Sequence, residues 1–118
     1  MMFKETSVAF RGDLEALILG ALQRSPMHGY ELAKHLKDAG SQVLIFGEGQ
    51  LYPALHKLER DQFIEATWIP QEGRPSRKVY QLTEKGRLEL ARQQRSWKEF
   101  ASAVGRVLGT PSPEAPSA

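Results

Sequence analysis

The sequence has 118 residues, the size of one domain, and a formal net charge of +2 from 16 Lys and Arg against 14 Asp and Glu. It contains no cysteine, which excludes disulfide scaffolds, thiolate zinc sites and cysteine nucleophiles. The longest apolar stretch, around Leu14 to Leu22, contains Glu15 and is too short to cross a bilayer. We therefore expect a cytoplasmic protein with no membrane partner, whose weakly positive charge permits a nucleic-acid partner without requiring one.

The first forty residues predict an arm followed by two helices. Residues 1–12 show no clear periodicity and are interpreted as a loosely held N-terminal arm. From Asp13, a candidate N-cap, apolar residues recur at helical spacing until Ser25-Pro26 ends the first helix. A second helix is predicted over 29–39, with Gly40 as its stop.

The middle of the chain predicts a third helix with two unlike faces. Residues 40–49 place glycines around an apolar run, which fits a short strand, an irregular turn or a packing segment. The helix starts near Gly49, because the three leucines that follow share one face, and Pro53 is expected near its first turn, where a missing N–H costs little. These leucines are Leu51, Leu55 and Leu58. The opposite face is polar and comprises Gly49, Gln50, Pro53, His56, Lys57 and Arg60, with Tyr52 on its flank.

The remaining sequence predicts a hairpin, a long helix and a tail. Strands over 63–69 and 78–82 flank a loop over 70–77 that contains two prolines and Gly73. Thr83 is a candidate N-cap for a final helix over 84–108. The fold class is therefore mainly α with a small β-hairpin. A winged helix-turn-helix domain spans 13–83, a long C-terminal dimerisation helix spans 84–108, and a disordered tail spans 109–118.

This order of elements is typical of proteins that bind double-stranded DNA. The third helix enters the major groove, the hairpin lies beside the backbone as a wing, and backbone amides at helix starts receive phosphates. The candidate DNA-binding residues are His28, Gly29 and Tyr30 at the second helix, Gln50, Tyr52, Pro53, His56 and Lys57 on the third, and Arg74, Arg77 and Lys78 in the wing. The basic wing is also compatible with simple solvation. The alternative function is a winged-helix module for protein–protein interaction without sequence-specific DNA binding.

Catalysis and metal binding find little support in the sequence. His28 and His35 lack matching acidic partners, so we expect structural roles for them and predict no metal site. The sequence has no phosphate-binding Gly-Lys-Ser/Thr loop, no His-Glu-x-x-His pair and no nucleophile elbow. We therefore expect neither an enzyme nor a cofactor.

The final helix carries the pattern of a homodimer interface. Leu90, Trp97 and Val104 recur every seven residues, and Phe100 and Val107 fill the seam between them. Two-fold symmetry then predicts a palindromic operator with the two reading helices about one DNA turn, roughly 34 Å, apart. Two interpretations of Trp97 stay open, interface packing and a platform for a planar aromatic ligand.

Three segments, in this order, resemble the PadR family of bacterial transcriptional regulators. They are His28-Gly29-Tyr30-Glu31-Leu32, Leu51-Tyr52-Pro53-Ala54-Leu55 with Leu58-Glu59, and Gly73-Arg74-Pro75 leading to Tyr80-Gln81-Leu82-Thr83-Glu84-Lys85-Gly86. The resemblance, which is to the short subfamily with one C-terminal helix, implies a homodimer formed by the last helix together with the first. It also implies a repressor that binds an inverted-repeat operator and is released by an inducer.

The same resemblance implies a location for the inducer. In multidrug-responsive members of the family, flat aromatic compounds lie between two tryptophans at the dimer axis. Trp97 stands at the matching position of this sequence, and Leu14, Ile18 and Ala101 stand at positions that line the pocket in those members. A small planar aromatic inducer is therefore expected at these four residues.

Overall fold

The computed structural model describes residues 14–41 and 45–110. The predicted arm, the N-cap Asp13 and residues 111–118 of the predicted tail lie outside these ranges. The helices are α1 (Leu14–Arg24), α2 (Gly29–Ala39), α3 (Glu48–Arg60) and α4 (Glu84–Leu108), and the strands are β1 (Met27–His28), β2 (Ile64–Gln71) and β3 (Arg74–Leu82). The predicted fold class, mainly α with a small β-hairpin in winged-helix order, is confirmed.

The core lies where α1, α2 and α3 meet one face of the sheet. Leu51, Leu55 and Leu58 are at most 1% exposed, which confirms the predicted apolar face of α3. They pack in one cluster with Ile18 and Leu32, from α1 and α2, among others. Burying a leucine of this kind stabilises the fold by about 1.5–3 kcal/mol, so this face fixes which side of α3 points outward.

The described part of the segment between α2 and α3 has no regular secondary structure. Residues 45–47 are neither helix nor strand, and α3 begins at Glu48. Phe46 is half-buried against the core, whereas Ile45 is exposed. Of the three interpretations left open by the sequence, a packing segment fits Phe46, and residues 45–47 form no strand. Gln42 to Leu44 lie outside the described ranges.

The sheet is antiparallel with the order β1-β3-β2, and two of its features were not predicted. The two-residue β1 is too short to give a sequence period, and it pairs with β3 through Met27↔Tyr80 and His28↔Val79. The predicted loop over 70–77 is wrong, because β2 and β3 continue to a turn formed by Glu72 and Gly73. Pro70 interrupts the register there, since proline has no N–H to donate to the ladder, but it does not end the strand.

The turn between the sheet and α4 is built by close backbone contacts. The amide of Gly86 donates to Thr83 Oγ1 at 3.0 Å, which confirms Thr83 as the N-cap. The same hydroxyl donates to the carbonyl of Gln62 at 2.7 Å. A Cβ on Gly86 would collide with the carbonyl of Phe63, so glycine is needed for this approach. These contacts hold the residues that follow α3 next to the start of α4.

Within the described ranges, residues 14–41 and 45–90 form one compact unit, and residues 91–110 belong to a second unit that is described by itself. The first unit includes the first two turns of α4 and therefore extends past the predicted boundary at Thr83. Leu90 is the last residue of this unit and is only 5% exposed, within the core cluster. In the second unit, α4 continues to Leu108.

Candidate nucleic-acid interface

The face of α3 opposite the leucines is open to solvent. At 100° per residue, Gly49, Pro53, His56 and Arg60 fall within about 60° of one another, and all four are exposed. Pro53 is the sixth residue of α3, so the expectation that it lies near the first turn is wrong. The helix begins at Glu48, close to the predicted start, and lacks one internal hydrogen bond at Pro53, on the exposed side. Arg60 is a candidate contact that the predicted set omitted.

Part of the Gln50 side chain is used to cap the N-terminus of α3. The amide N–H of Gly47 donates to Gln50 Oε1 at 3.3 Å, and the amide N–H groups of Gln50 and Leu51 both donate to the Gly47 carbonyl. The side-chain oxygen of Gln50 therefore caps the helix. Its NH₂ group is the part of the side chain that can donate to a base edge or a phosphate.

The start of α2 is closed by a capping box. The amide of Glu31 donates to His28 Nδ1 at 3.3 Å, and the amide of His28 donates to Glu31 Oε1 at 3.1 Å. His28 Nε2 also lies 3.4 Å from Glu31 Oε1, so the expectation that His28 has no acidic partner is wrong. The ring of His28 stacks beside Tyr30, which is 75% exposed. The structure thus gives His28 a role in the fold and leaves Tyr30 facing solvent.

Gly29 is explained by packing inside the protein. A Cβ at this position would lie 2.7 Å from Tyr52 Oη, so a larger residue would displace the tyrosine ring of α3 from the start of α2. Gly29 itself is buried, whereas Tyr52 remains partly exposed. Tyr52 therefore packs against the start of α2 and keeps part of its surface exposed.

The wing, defined as β2, β3 and their turn, places its three cations differently. Because side chains alternate along a strand, Lys78 shares a face with the buried Tyr80, while Arg77 lies on the other face. Arg74 pairs with Gln71 in the ladder next to the turn. When the Gln71 amide is oriented to satisfy both neighbours, its oxygen accepts from Arg77 Nε and Nη2, each at 3.2 Å. Arg74 and Arg77 are thus the exposed cations of the wing.

Lys78 points toward α3. Its ammonium lies 3.4 Å from Glu59 Oε1 on α3, and 5.8 Å and 5.4 Å from the ring centroids of Trp68 and Tyr80. Burial raises the pKa of the Tyr80 hydroxyl, and the nearby Lys78 charge opposes that shift. Lys78 lies in the returning strand, as the sequence predicted, but that strand begins earlier, at Arg74.

Lys57 is also held by carboxylates. Its ammonium lies 3.3 Å from Asp61 Oδ2, one turn later in α3, and 3.4 Å from Glu15 Oε1 on α1. The hydrogen bond to Asp61 and the charge of Glu15 raise the pKa of Lys57, so it stays protonated near neutrality. A phosphate would have to compete with both carboxylates for this ammonium.

The predicted ligand and dimer residues have unequal exposure. Ile18 has no exposed surface and Leu14 is half-buried, both within the first unit. Leu90 is in the core, which leaves almost none of its surface for a partner helix, so the exposed part of the seven-residue stripe starts at Trp97. Further along α4, Trp97 is 43% exposed and its ring lies 6.4 Å from that of Phe100. Val104 is half-buried, Ala101 is buried, and Val107 is 85% exposed.

Comparison with known proteins assigns the family. Residues 18–92 match the model of the transcriptional regulator PadR-like family. The chain belongs to the PadR-like family. Its members are transcriptional regulators, so this chain is a transcriptional regulator and not an enzyme.

Individual relatives agree with this assignment. The chain is 32% identical over 77 residues to the negative transcriptional regulator PadR of Bacillus subtilis, a match that covers 65% of this chain and 42% of that protein's length. A PadR-like transcriptional regulator from Bacillus cereus has a TM-score of 0.72 at 30% identity, and the match covers 86% of this chain and 97% of that one. The structure of B. subtilis PadR in complex with operator DNA has a TM-score of 0.62 at 26% identity, covering 91% of this chain and 54% of that one.

Two further observations limit other chemistry in this PadR-like chain. Across residues 14–41 and 45–110, no three His, Asp or Glu residues come together as a metal site. Within the same ranges, no helix combines the length and the apolar character that crossing a membrane requires.

Proposed function

We propose that this PadR-like regulator is a repressor that binds an inverted-repeat operator in duplex DNA as a homodimer. The exposed face of α3 carries the proposal. The leucines of α3 are buried in the core, so its polar side faces outward. A helix presented in this way fits a major groove about 12 Å wide. The operator complex of B. subtilis PadR supports this use of the fold, and the description of that relative as a negative regulator supports repression.

The contacts divide between base edges and phosphates. Gln50, through its NH₂ group, and His56 are proposed to reach base edges, with Tyr52 and Pro53 packing against the groove wall. Arg74 and Arg77 on the wing are proposed to hold the DNA backbone, and the start of α2 with the exposed Tyr30 is proposed to approach a phosphate. Lys57 and Lys78 belonged to the predicted set as well, and their role is treated separately below.

The homodimer is proposed from the last helix. Trp97, Val107 and Leu108 are exposed, and large apolar side chains on one helix end are stabilised when a partner covers them. A second copy supplies the same surface by two-fold symmetry. Phe100 and Val104, which are half-buried, complete the proposed seam.

A small planar aromatic inducer is proposed to bind beside Trp97. The exposed indole offers a face for stacking, and the resemblance to multidrug-responsive members adds Ala101 on the same helix. Fluorescence of a Trp68→Phe variant reports on Trp97 alone, because the sequence has two tryptophans. Planar aromatic compounds are expected to quench this signal and weaken operator binding. Unchanged fluorescence and unchanged operator affinity across a broad panel would contradict the inducer site.

The DNA proposal is tested by duplex binding at a series of salt concentrations. Wild-type protein is expected to bind with an affinity that falls steeply with salt, because phosphate neutralisation releases counterions. Replacing Arg74 and Arg77 by Ala is expected to weaken binding to every duplex, specific or random. Arg106→Ala in the last turn of α4 serves as the charge-matched control and is expected to change little. No binding to any duplex would instead favour a protein-interaction module.

A further inference from the structure

We propose that Lys57 and Lys78 are positioning residues that hold α3 from its two sides, and that Arg60 between them contacts a phosphate. The inference rests on the proposed DNA binding and changes the assignment of three cations within it. Sequence reasoning placed both lysines in direct contact with DNA and left Arg60 out of the contact set.

The geometry of α3 separates the two lysine contacts. Lys57 and Glu59 lie about 160° apart around the helix at 100° per residue, on opposite flanks of the exposed face. Arg60 falls between them, on the same side as His56 and Pro53. One flank is held by a lysine of α3 and a carboxylate of α1, and the other by a carboxylate of α3 and a lysine of β3.

On the side that faces α1, Lys57 of α3 contacts a carboxylate that is distant in sequence. Lys57 and Glu15 are 42 residues apart in the chain, and their charged groups lie 3.4 Å apart. Asp61 adds a second carboxylate to the same ammonium, from the next turn of α3. To reach a phosphate, Lys57 would have to leave both partners, which offsets part of the gain from the new contact.

The wing flank is tied by an ion pair that two rings cover. Lys78 and Glu59 are only about one third exposed, at 27% and 35% of their side chains. Trp68, the ladder partner of Lys78, and Tyr80 place their rings within 6 Å of the ammonium. A cation between two aromatic rings and a carboxylate is favourably placed where it is. The pair therefore sets the position of the wing relative to α3.

Arg60 has the opposite environment. It is exposed at the C-terminal end of the outward face, and no ion pair joins it to any side chain within the described ranges. Its guanidinium presents five donors in a planar fork that fits a phosphate, whereas a lysine offers a point charge. Among the described residues, Arg60 has no ion pair that a phosphate would have to displace.

The salt dependence of DNA binding distinguishes the two roles. The variants Lys57→Met, Lys78→Met and Arg60→Met each remove one charge and keep an unbranched stem, and Arg106→Met is the remote control. Arg60→Met is expected to lower the slope of log affinity against log salt by about 0.9 for each phosphate that the protein no longer neutralises. Lys57→Met and Lys78→Met are expected to leave the slope at the wild-type value and weaken binding only about two- to five-fold. A slope lowered by either lysine variant, or unchanged by Arg60→Met, contradicts the assignment.

A charge exchange tests the wing pair directly. Lys78→Glu and Glu59→Lys each place like charges side by side, and both are expected to weaken binding about tenfold. The double variant restores opposite charges and is expected to recover affinity to within about threefold of wild type, since the energy belongs to the pair. A double variant that binds no better than Lys78→Glu would mean that the lysine at position 78 is needed by the DNA.

A measurement without DNA separates this inference from the proposed function. In a Trp97→Phe background Trp68 is the only tryptophan, so selective excitation of tryptophan reports on it alone, and its ring lies next to Lys78. Glu59→Gln and Lys78→Met are expected to shift its emission and increase its quenching by acrylamide, while Arg60→Met leaves both unchanged. If wild-type protein binds no duplex but this pattern holds, the proposed function fails and the wing contact stands. If Trp68 responds to neither variant, the positioning role is overturned whatever the DNA result.

Discussion

Two helices of this chain, α3 and α4, each carry apolar side chains, but they differ in how much of that apolar surface the fold buries. The apolar face of α3 is buried completely by α1, α2 and the sheet, so its polar face is the only one presented outward. The 25-residue α4 is about 38 Å long at 1.5 Å per residue, and large apolar side chains remain exposed on it. Because the apolar face of α3 is buried within the fold, its polar face is available to contact DNA. The exposed apolar side chains of α4 favour association with a second copy of the chain.

The largest expected effect comes from removing a buried leucine side chain of α3. Leu55→Ala is expected to lower the free energy of unfolding by about 2–5 kcal/mol, because it leaves a cavity in the core. Leu88→Ala removes the same atoms from an exposed position of α4 and is expected to cost less than about 0.5 kcal/mol. Urea denaturation of both variants measures the difference. Equal losses would show that the two leucines are equally buried in solution.

The next largest effect is expected in the exposed stripe of α4. Trp97→Ala is expected to raise the dimer dissociation constant at least about tenfold, since tryptophans at interface centres often contribute about 2 kcal/mol or more. Trp68→Ala, which removes the exposed tryptophan of the wing, is the matched control and is expected to leave dimerisation unchanged. Sedimentation velocity over a range of concentrations measures both. A monomeric wild-type chain would contradict the role assigned to α4.

The link between the two helices can be weakened at the Thr83 cap. Thr83→Ala removes the acceptor for the Gly86 amide and the donor to the Gln62 carbonyl, and is expected to cost about 1 kcal/mol. For a domain of this size that loss lowers Tm by roughly 4–8 °C. Thr110→Ala lies beyond the end of α4 and serves as control. A Tm within about 1 °C of wild type would show that the cap contributes little to stability.

The smallest effect concerns Tyr80, on the sheet face that packs toward α3. Burial raises the pKa of its hydroxyl above the usual value near 10, so the folded state keeps the proton more tightly than the unfolded state. The resulting stability is present below pH 10 and is lost as pH rises through the folded pKa. Wild type is therefore expected to lose more stability than Tyr80→Phe above pH 10, in chemical denaturation at stepped pH. Parallel losses would indicate that the hydroxyl is hydrated in the fold.

Much of the fold was predictable because it depends on local patterns. The leucine spacing identified the core face of α3, and Thr83 identified the start of α4. The spacing His28-x-x-Glu31 is also a local pattern that matches a capping box, although the sequence-based interpretation of His28 overlooked it.

The candidate site was less predictable because its decisive contacts are distant in sequence. The sequence pattern alone does not distinguish Lys57 and Lys78 from Arg60. Asp61 is close to Lys57 in sequence, but Glu15, which also engages Lys57, and Glu59, which engages Lys78, are 42 and 19 residues away from them. The length of the wing strands was underestimated because pairing across the hairpin joins residues that are apart in sequence. Pro70 and Pro75 are local signals for a loop, whereas pairing across the hairpin extends both strands to the turn at Gly73.

The most direct test of the central claim is a selection of duplexes from a random library by the wild-type protein without ligand. If α3 reads DNA and α4 joins two copies, the recovered sequences are expected to contain an inverted repeat. Its half-site centres should lie about one helical turn, roughly 34 Å, apart or a multiple of that distance. Recovery of a lone half-site would contradict the dimer, and a library with no enriched sequence would contradict sequence-specific binding by α3.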